Sequence, residues 1–458
     1  MRRRRDNPAI ICTHMNYPEA IQYLLSFADF ERSGRFQDRP DVAPMLSLLS
    51  RLGDPHLGRL TVHIAGSKGK GSVAAMVESV LRAAAYTTGL YTSPHLRSYC
   101  ERIRVDGQPI SEAEFARLTA QLRPAVEAEK RALGERQLVT FDLLTALGFL
   151  AFRLSGVGVQ VLEVGLGGRV DSTNVFEAKD VAVITPISLE HTAILGDTVG
   201  QITREKAAII TPGCTVVMAP QPYAVATSII QECAGAAGAP VVDVARDYRW
   251  ELLSHDLYGQ DVRLHGPKSM IETRLPLLGA HQMENAATAF ACAAALRRRG
   301  HAVSDEAIAR GLSQVAWPGR LEVLRERPLV IADGAHNRDS ARRLREALRD
   351  YFSCERALFI IGASADKDID GLAEELTAAA ESVIAVRADH PRAMPPERIA
   401  EAFRRLGIKA EVSDTVGSGI DRAMAVTEEG GVICLVGSLF VAAGAREHLL
   451  GIGHTDSG

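Results

Sequence analysis

A glycine-rich turn at residues 66–72 has the residue types that bind a nucleotide phosphate. It reads Gly-Ser-Lys-Gly-Lys-Gly-Ser and lies between the apolar run Leu60–Ala65 and a helical pattern that begins at Val73. Glycines let the backbone approach an anion, successive N–H groups can point towards it, and the first turn of the next helix carries about half a positive charge. Lys70 would add a mobile cation. We therefore expect phosphates to be held by Gly66, Ser67, Lys68, Gly69, Lys70, Gly71 and Ser72.

This turn departs from the usual pattern G-x-x-x-x-G-K-[ST] at two positions. Ile64 replaces the first glycine, and Gly71 stands where a magnesium-binding hydroxyl would follow the lysine. The hydroxyl must then come from Ser72 or from another segment. Ser93, in a Ser-Pro turn after the run Thr88–Tyr91, could supply it, although such turns are also common without any ligand.

A carboxylate lies at the end of another predicted strand. Glu163 closes the apolar run Val159–Val164, and three glycines open the backbone behind it. Open α/β sheets bind their ligands at the carboxyl ends of the strands. Because a buried carboxylate without a partner is costly, Glu163 is predicted to hold a metal cation.

Two further groups of the first half have both a functional and an ordinary interpretation. His191 follows the run Val181–Ile187, where a single histidine is more often structural than a ligand. Lys206 follows Glu205 in a helical stretch, and such a pair is ordinarily a solvated helix face.

A similar cluster occurs in the second half of the chain. Asp333 and His336 follow the strand-like run Leu329–Ala332 and could orient a ribose or a phosphate. Asn337 could instead cap the helix that follows. The capping interpretation explains neither Asp333 nor His336.

Strand and helix signals alternate along most of the chain, which predicts an α/β class with mainly parallel sheets. Between residues 248 and 278, short alternating segments punctuated by glycine and proline predict a small antiparallel β addition. The sequence Trp317-Pro318-Gly319-Arg320 predicts a domain boundary. The predicted units are an extension at 1–14, a domain at 15–316 and a domain at 317–458. The other predicted strands are Thr215–Met218, Ala357–Gly362, Val383–Val386 and Val432–Val436, and the later helices are His281–Arg299 and Ser304–Ser313.

Composition restricts the class of partner. A chain of 458 residues with 47% hydrophobic content can bury a large core, and 52 basic against 56 acidic residues give a net charge of −4. We therefore expect small-molecule partners, with neither nucleic acid nor a membrane. Seven cysteines without a C-x-x-C pair argue against a zinc site or disulfide framework and fit a reducing cytoplasm. The arginine-rich residues 1–14 are expected to be disordered.

Taken in order, these motifs resemble the folylpolyglutamate synthase and dihydrofolate synthase family, a branch of the Mur ligases. The resemblance runs from about Met15 to Phe440. The motifs that carry it are Leu52–His56, His63–Ser72, Thr92–Leu96, Glu101–Arg104, Leu162–Arg169 with Asp171 and Asn174, Glu190-His191, Glu205–Ala207, Gly279–Ala287, Pro318–Glu322 and Asp333–Asn337.

The resemblance implies a P-loop ATPase domain, a C-terminal Rossmann-like domain and a monomer. It implies ATP-dependent addition of L-glutamate to dihydropteroate or a reduced folate, through an acyl phosphate. Lys70, His191 and Lys206 are the implied catalytic residues, with Lys206 carbamylated. Ser93 and Glu163 would bind one Mg²⁺, and His191 with modified Lys206 a second. Besides the glycine-rich turn, the implied ATP-binding residues are Asn285, Arg320, Asp333 and His336.

Four positions depart from the family pattern. Ser67-Lys68 stand where the family usually has Thr-Asn, Glu190 where Asp is usual, and Asp142 where Glu is usual. Lys68 adds a cation that either lies beside the phosphates or points to solvent. Two alternatives remain open: a Mur-type ligase for another carboxylate, and a regulatory P-loop NTPase that has no use for Asp333 or Lys206.

Overall fold

The computed structural model describes residues 15–33, 41–133 and 137–452. The predicted extension at 1–14 lies outside the described residues. The described chain contains one eight-stranded sheet, one three-stranded sheet and one six-stranded sheet. This arrangement confirms the predicted α/β class with mainly parallel sheets and a small antiparallel addition.

The eight-stranded sheet has the order β4-β3-β2-β5-β1-β6-β7-β8 and is parallel from β2 to β8, whereas β3 and β4 are antiparallel. Its centre is β1, between β5 and β6, so the glycine-rich turn leaves the middle of the sheet. The strands are β1 Leu60–Ala65, β2 Thr88–Tyr91, β3 Ile103–Val105, β4 Gln108–Pro109, β5 Val159–Glu163, β6 Val181–Ile184, β7 Thr215–Met218 and β8 Val241–Asp243.

Helices cover both faces of this sheet, as buried parallel strands require. α4 packs against α11 and α12 on one face, while α1, α3, α5 and α6 share a second core with the other face. The helices are α1 Tyr17–Leu25, α2 Phe30–Ser33, α3 Ala43–Arg51, α4 Lys70–Ala83, α5 Glu112–Leu133, α6 Thr140–Leu154, α7 Thr192–Leu195, α8 Val199–Ala207, α9 Ala224–Ala236, α10 Val244–Asp247, α11 Ala280–Arg298 and α12 Asp305–Ser313.

The three-stranded antiparallel sheet follows α10, where hairpins were predicted. Its strands are β9 Arg249–Asp256, β10 Gly259–His265 and β11 Met270–Leu275, in the order β11-β10-β9. Its β10 contributes buried Val262 and Leu264 to the core that contains α4 and α11. The sheet is thus packed onto the first domain.

The six-stranded sheet lies beyond the linker and has the order β12-β13-β17-β14-β15-β16, parallel except for β12. Its strands are β12 Glu322–Glu326, β13 Leu329–Ala332, β14 Ala357–Ile361, β15 Ala380–Val386, β16 Ala410–Ser413 and β17 Val432–Val436. Its helices are α13 Arg338–Phe352, α14 Ile369–Thr377, α15 Pro396–Arg405, α16 Val416–Val426 and α17 Leu439–Leu450.

Several element boundaries differ from the sequence prediction. α4 begins at Lys70, three residues before the predicted Val73, so the lysine lies in the first helical turn. The strand predicted to reach Ile187 ends at Ile184, two residues before Pro186, which has no N–H for a strand ladder. Within the described ranges, no helix is long and apolar enough to cross a membrane.

Candidate active site

A cleft of about 1740 Å³ lies at the carboxyl ends of β1, β2, β5 and β13. It is lined by both domains, and it brings together nearly all the site residues that the sequence predicts. Those on its wall are Ser67, Lys68, Gly69, Lys70, Gly71, Ser72, Ser93, Glu163, His191, Lys206, Asn285, Arg320, Asp333 and His336. Gly66 does not line the cleft, but its carbonyl oxygen accepts a hydrogen bond from Lys206.

The glycine-rich turn is closed by a carbonyl of the neighbouring segment. The backbone N–H groups of Ser67 and Lys68 donate to the Pro186 oxygen at 3.0 and 3.1 Å. These two N–H groups therefore have a protein acceptor, whereas the sequence led us to expect successive N–H groups of the turn to point towards an anion. The N–H groups of the first turn of α4, from Lys70, have no acceptor within the helix and remain available to a phosphate.

Gly69 allows the turn to reach α4. Its φ is +81°, and a Cβ there would lie 2.5 Å from the Asn285 Oδ1 atom. Only glycine adopts this conformation beside the amide without strain. Asn285 itself is buried on α11 and donates to Gln282 at 2.9 Å, so it is held against the turn.

Glu163 is buried at the end of β5, and burial raises its pKa to about 7. Its Oε2 accepts the backbone N–H of Ser93 at 3.2 Å, and within the described residues no basic side chain lies within ion-pair distance of it. Lys70 and Arg320 act on it only from farther away.

The side chains of Ser93 and Glu163 fit one magnesium ion. A carboxylate and a hydroxyl are hard oxygen donors, and Mg²⁺ usually takes few protein ligands while keeping water and phosphate oxygens. The described chain contains no group of three or more His, Cys, Asp and Glu side chains that could hold a metal by themselves. The fit therefore requires a bound phosphate to complete the ion's shell.

Lys206 is almost completely buried, which excludes the interpretation that it belongs to a solvated helix face. Its Nζ donates to the Gly66 oxygen at 2.9 Å and to Glu190 Oε1 at 3.0 Å. Burial lowers the pKa of Lys206 to about 8, and the charge of Lys206 helps to hold the pKa of Glu190 at about 2. Its neighbour Glu205 instead pairs with Arg169 at 2.8 Å.

The contacts of the Lys206 ammonium group decide whether this residue can bind the second metal ion. An ammonium group does not bind a cation, so Lys206 fits a metal only as a carbamate, which remains a prediction. His191 is the N-cap residue that precedes α7, with a φ of +50°, and it is exposed on the wall of the cleft. The residues present therefore fit the first ion without modification, whereas the second ion depends on modified Lys206.

In the second domain, the carboxylate of Asp333 holds the two backbone segments that carry Arg320 and His336. Asp333 Oδ2 accepts the backbone N–H of Leu321 at 2.9 Å, and its Oδ1 accepts that of Ala335 at 2.8 Å. His336 places Nδ1 2.8 Å from the Gly334 oxygen, and burial lowers its pKa to about 3. It is therefore neutral, with the proton on Nδ1 and Nε2 free to accept.

Asn337 caps α13, because its side chain accepts the N–H of Ser340 at 3.0 Å. The capping interpretation thus holds for Asn337 alone. Asp142 also serves a local role, since it accepts the N–H of Val139 at 2.9 Å and the hydroxyl of Ser172 at 2.7 Å. Asp142 therefore caps α6, although the family usually has Glu at this position.

Lys68 lies in the cleft rather than pointing away into solvent. Burial lowers its pKa, and the carboxylates of Glu190 and Asp339 oppose that effect. Lys70 and Lys367 lie close enough to act on it as well. The cleft therefore carries one more cation than the family pattern predicts.

A buried cluster in the first domain was not assigned a role from the sequence. Arg102, 2% exposed, donates to Glu31 Oε2 at 2.6 Å and to His95 Nδ1 at 2.9 Å, and its guanidinium lies over the Tyr99 ring. Glu31 belongs to the short helix α2, which no sequence pattern indicated. The cluster fastens α2 to the wall of the cleft.

The sequence also missed cleft residues of the second domain. They follow the carboxyl ends of β14, β15 and β17, so the strand-end argument used for Glu163 would have found them. They include Ser364, Lys367, His390, Arg392, Ser438 and Phe440.

Behind the turn, a buried chain of hydrogen bonds connects β1 to the loop that follows β5. Lys179 Nζ lies 2.9 Å from His63 Nδ1 and 3.1 Å from Asn174 Oδ1. The His63 Nε2 atom is 2.8 Å from the hydroxyl of Thr173, which donates to Asp171 at 2.5 Å. The donors and acceptors therefore run in one direction, from the lysine to the carboxylate.

Lys179 gives this network a pH dependence. Burial lowers its pKa from 10.5 to about 7, so between these values the unfolded chain holds a proton that the folded chain has released. Stability should therefore rise with pH across this window, by at most about 1.4 kcal/mol per pH unit. We expect the urea midpoint of wild type, relative to that of Lys179→Met, to increase from about pH 7 to pH 9.

Lys268→Met is the matched control because Lys268 is exposed. Its urea midpoint should follow that of wild type at every pH. Parallel curves for wild type and Lys179→Met would contradict the lowered pKa.

Two domain families match this chain and agree with the two halves of the cleft. The Mur ligase middle domain matches residues 64–293, and the Mur ligase, glutamate ligase domain matches residues 319–439. The fold and the cleft thereby define a protein of the Mur ligase class.

Individual relatives narrow the class. A dihydrofolate synthase/folylpolyglutamate synthase of Bacillus subtilis (strain 168) is 34% identical, covering 91% of this chain and 96% of that protein. A structure of Escherichia coli FolC in complex with DHPP and ADP has a TM-score of 0.82 and 30% identity, covering 95% of this chain and 97% of that one. The chain belongs to the folylpolyglutamate synthase and dihydrofolate synthase family, which confirms the resemblance of its motifs.

A longer relative is also similar. A probable bifunctional folylpolyglutamate synthase/dihydropteroate synthase of Haloferax volcanii is 38% identical, covering 94% of this chain and 50% of that protein. A Halobacterium salinarum protein of the same description is matched over 51% of its length. The chain thus spans about half the length of these two relatives.

Proposed function

We propose that this chain is an ATP-dependent ligase that joins L-glutamate to dihydropteroate, to a reduced folate, or to both. The observation that carries the proposal is the single cleft in which Lys70 and Glu163 of the first domain face Arg320 and His336 of the second. A phosphate site within one domain would not need Arg320 and His336 of the second domain. A site that forms an acyl phosphate does need them, because two domains that close around this intermediate exclude water.

The reaction has two steps. A carboxylate oxygen of the acceptor attacks the γ-phosphorus of ATP, and the bond to the bridging oxygen breaks to release ADP. The amine of glutamate then attacks the acyl carbon and loses a proton, and phosphate leaves as the amide forms. Lys70, the first turn of α4 and Arg320 supply positive charge to the phosphoryl oxygens.

Magnesium bound at Ser93 and Glu163 would neutralise phosphate charge and polarise the phosphorus. The second ion, at His191 and carbamylated Lys206, belongs to the same proposal. His336 is neutral and presents Nε2 as an acceptor, so it suits a hydrogen-bond donor of the substrates. Asp333 holds both Arg320 and His336 through their neighbours' backbone.

The relatives support dihydropteroate as one acceptor. In the two haloarchaeal proteins, the name joins a folylpolyglutamate synthase to an enzyme that makes dihydropteroate. The E. coli structure is a complex with DHPP and ADP. A chain that receives dihydropteroate directly would add the first glutamate, whereas a reduced folate would receive a later one.

An acceptor assay tests this proposal. Purified protein with ATP and Mg²⁺ should release ADP only when glutamate and a pteroate or folate acceptor are both present, and mass spectrometry should find the glutamylated product. ADP release without dependence on the acceptor would overturn it. Turnover with an unrelated carboxylate alone would favour the other Mur-type ligases.

A regulatory NTPase would be a different function for the same phosphate turn. Glu163 and the glycine-rich turn would suit it, but the hydrogen bonds of Asp333 and the buried contact of Lys206 would have no use in it. For the ligase, we also propose that the protein acts as a monomer in the cytoplasm.

A further inference from the structure

The linker between the domains is fixed to the phosphate turn by one aromatic side chain. A Cβ added to Gly71 would lie 2.8 Å from Trp317 Cζ2 and 3.3 Å from Trp317 Nε1. The indole edge therefore rests directly on the first turn of α4. Any side chain at position 71 would displace it, which gives a packing reason for the glycine that interrupts the usual G-K-[ST] pattern.

The Trp317 ring is held from other directions as well. It packs against the core that contains α4 and α11, and the Arg104 guanidinium lies over it at 5.6 Å from the centroid. Arg104 in turn donates to the Glu101 oxygen at 3.4 Å. The start of the linker thus belongs mechanically to the first domain.

Two residues later the chain belongs to the second domain. Gly319 donates to Glu322 Oε2 at 2.8 Å, and its oxygen accepts the N–H of Gly334 at 3.1 Å. Leu321 donates to Asp333. Only Pro318 separates Trp317 from these contacts, and Arg320 is next to Gly319.

A small cavity of about 40 Å³ lies beside this contact, lined by Gly71, Ser93, Glu163, Trp317 and Arg320 among others. It has room for a water molecule or an ion. The indole therefore borders the same space as the proposed metal ligands, and it is not tightly packed on that side.

We propose that Trp317 is a positioning residue that transmits occupancy of the phosphate turn to the linker and thereby sets the place of Arg320. The inference rests on the nucleotide binding of the proposed function. A nucleoside di- or triphosphate that orders the first turn of α4 shifts the indole edge resting on Gly71. The linker moves with the indole, because Trp317 is packed on the first domain, Gly319 is hydrogen-bonded in the second, and only Pro318 lies between them.

Fluorescence can test this coupling because the chain has two tryptophans. Trp250 lies on β9 and is not among the residues lining the cleft, so Trp250→Phe leaves Trp317 as the only indole without touching the site. We expect ADP with Mg²⁺ to change the emission and acrylamide quenching of this variant, with the midpoint that calorimetry gives for binding. Trp317→Phe, which keeps only Trp250, should still give a heat of ADP binding but should lose the emission change.

The two failures can be told apart. Binding heat without any change in the emission of Trp317 would overturn the coupling alone. No binding heat in wild type would overturn the nucleotide binding of the proposed function and the coupling with it.

Kinetics give a second test in Trp317→Phe protein that melts as wild type does. Because misplaced groups lower the rate more than binding, kcat should fall about 10-fold or more while the ADP dissociation constant stays nearly unchanged. A residue that only stabilises the fold would leave kcat unchanged in the folded protein. Unchanged kcat would therefore overturn the positioning role.

Discussion

Replacing Lys70 with alanine is expected to lower kcat by about 10²-fold or more, because it removes a preorganised positive charge from the phosphoryl group being transferred. Lys70 opens α4 on the wall of the cleft. Within the described residues, no carboxylate lies within ion-pair distance of its ammonium group, although its charge reaches Glu163 and Glu190. Its charge is therefore available to a ligand. Steady-state ADP release at saturating substrates measures the effect.

Lys268→Ala provides the matched control, since it removes an exposed lysine from the turn between β10 and β11. It should retain the wild-type kcat. A Lys70→Ala enzyme with nearly normal turnover would contradict the phosphate role of Lys70.

Replacing Asp333 with alanine should have the second large effect, a loss of turnover of about 10²-fold. The carboxylate is the shared acceptor for the N–H groups of Leu321 and Ala335, so its removal frees the segments that carry Arg320 and His336. Displacement of such groups by about 1 Å is enough for a loss of this size. Nucleotide affinity should also fall, because Asp333, Arg320 and His336 are among the proposed ATP-binding residues, but by less than kcat, because the turn and α4 stay in place on the other domain.

This variant also separates a ligase from a regulatory NTPase. A one-domain NTPase should keep its ATP turnover in Asp333→Ala protein, and that result would count against the two-domain account. Asp421→Ala is the control in the second domain, because Asp421 is an exposed partner of His448 and is not among the residues that line the cleft. It should leave kcat unchanged.

The sequence predicted the frame of the fold well because buried parallel strands are short apolar runs with clear ends. Thr88–Tyr91, Thr215–Met218, Leu329–Ala332 and Val432–Val436 have the predicted bounds in the structure. Turn chemistry at residues 248–278 correctly indicated the antiparallel sheet. By contrast, α1 and α3 were not identified, since short helices that pack against other helices leave a weaker pattern than strands do.

The strand-end argument predicted Glu163 and Asp333 at the ligand-binding ends of their strands, and the structure has both on the wall of one cleft. Burial of Lys206 was harder to foresee, because its sequence neighbours are those of a solvated helix and its partner Glu190 lies 16 residues away. The occupied N–H groups of Ser67 and Lys68 depend on the Pro186 oxygen, which a local pattern cannot reveal.

Gly71 shows most clearly what the sequence could not explain. The sequence presents this glycine as a defect in a familiar motif, to be compensated by a hydroxyl such as that of Ser93. The structure adds a contact with Trp317, which is 246 positions further along the chain. The roles of the individual site residues remain predictions that the variants above address.

The most direct test of the account follows one oxygen atom. If the acceptor carboxylate is labelled with ¹⁸O and incubated with the protein, ATP, Mg²⁺ and glutamate, the acyl phosphate route transfers one labelled oxygen to inorganic phosphate for each amide formed. Mass spectrometry of the phosphate should therefore find one ¹⁸O per molecule. Amide formation with unlabelled phosphate would contradict the acyl phosphate, and with it the central claim that this cleft activates a carboxylate.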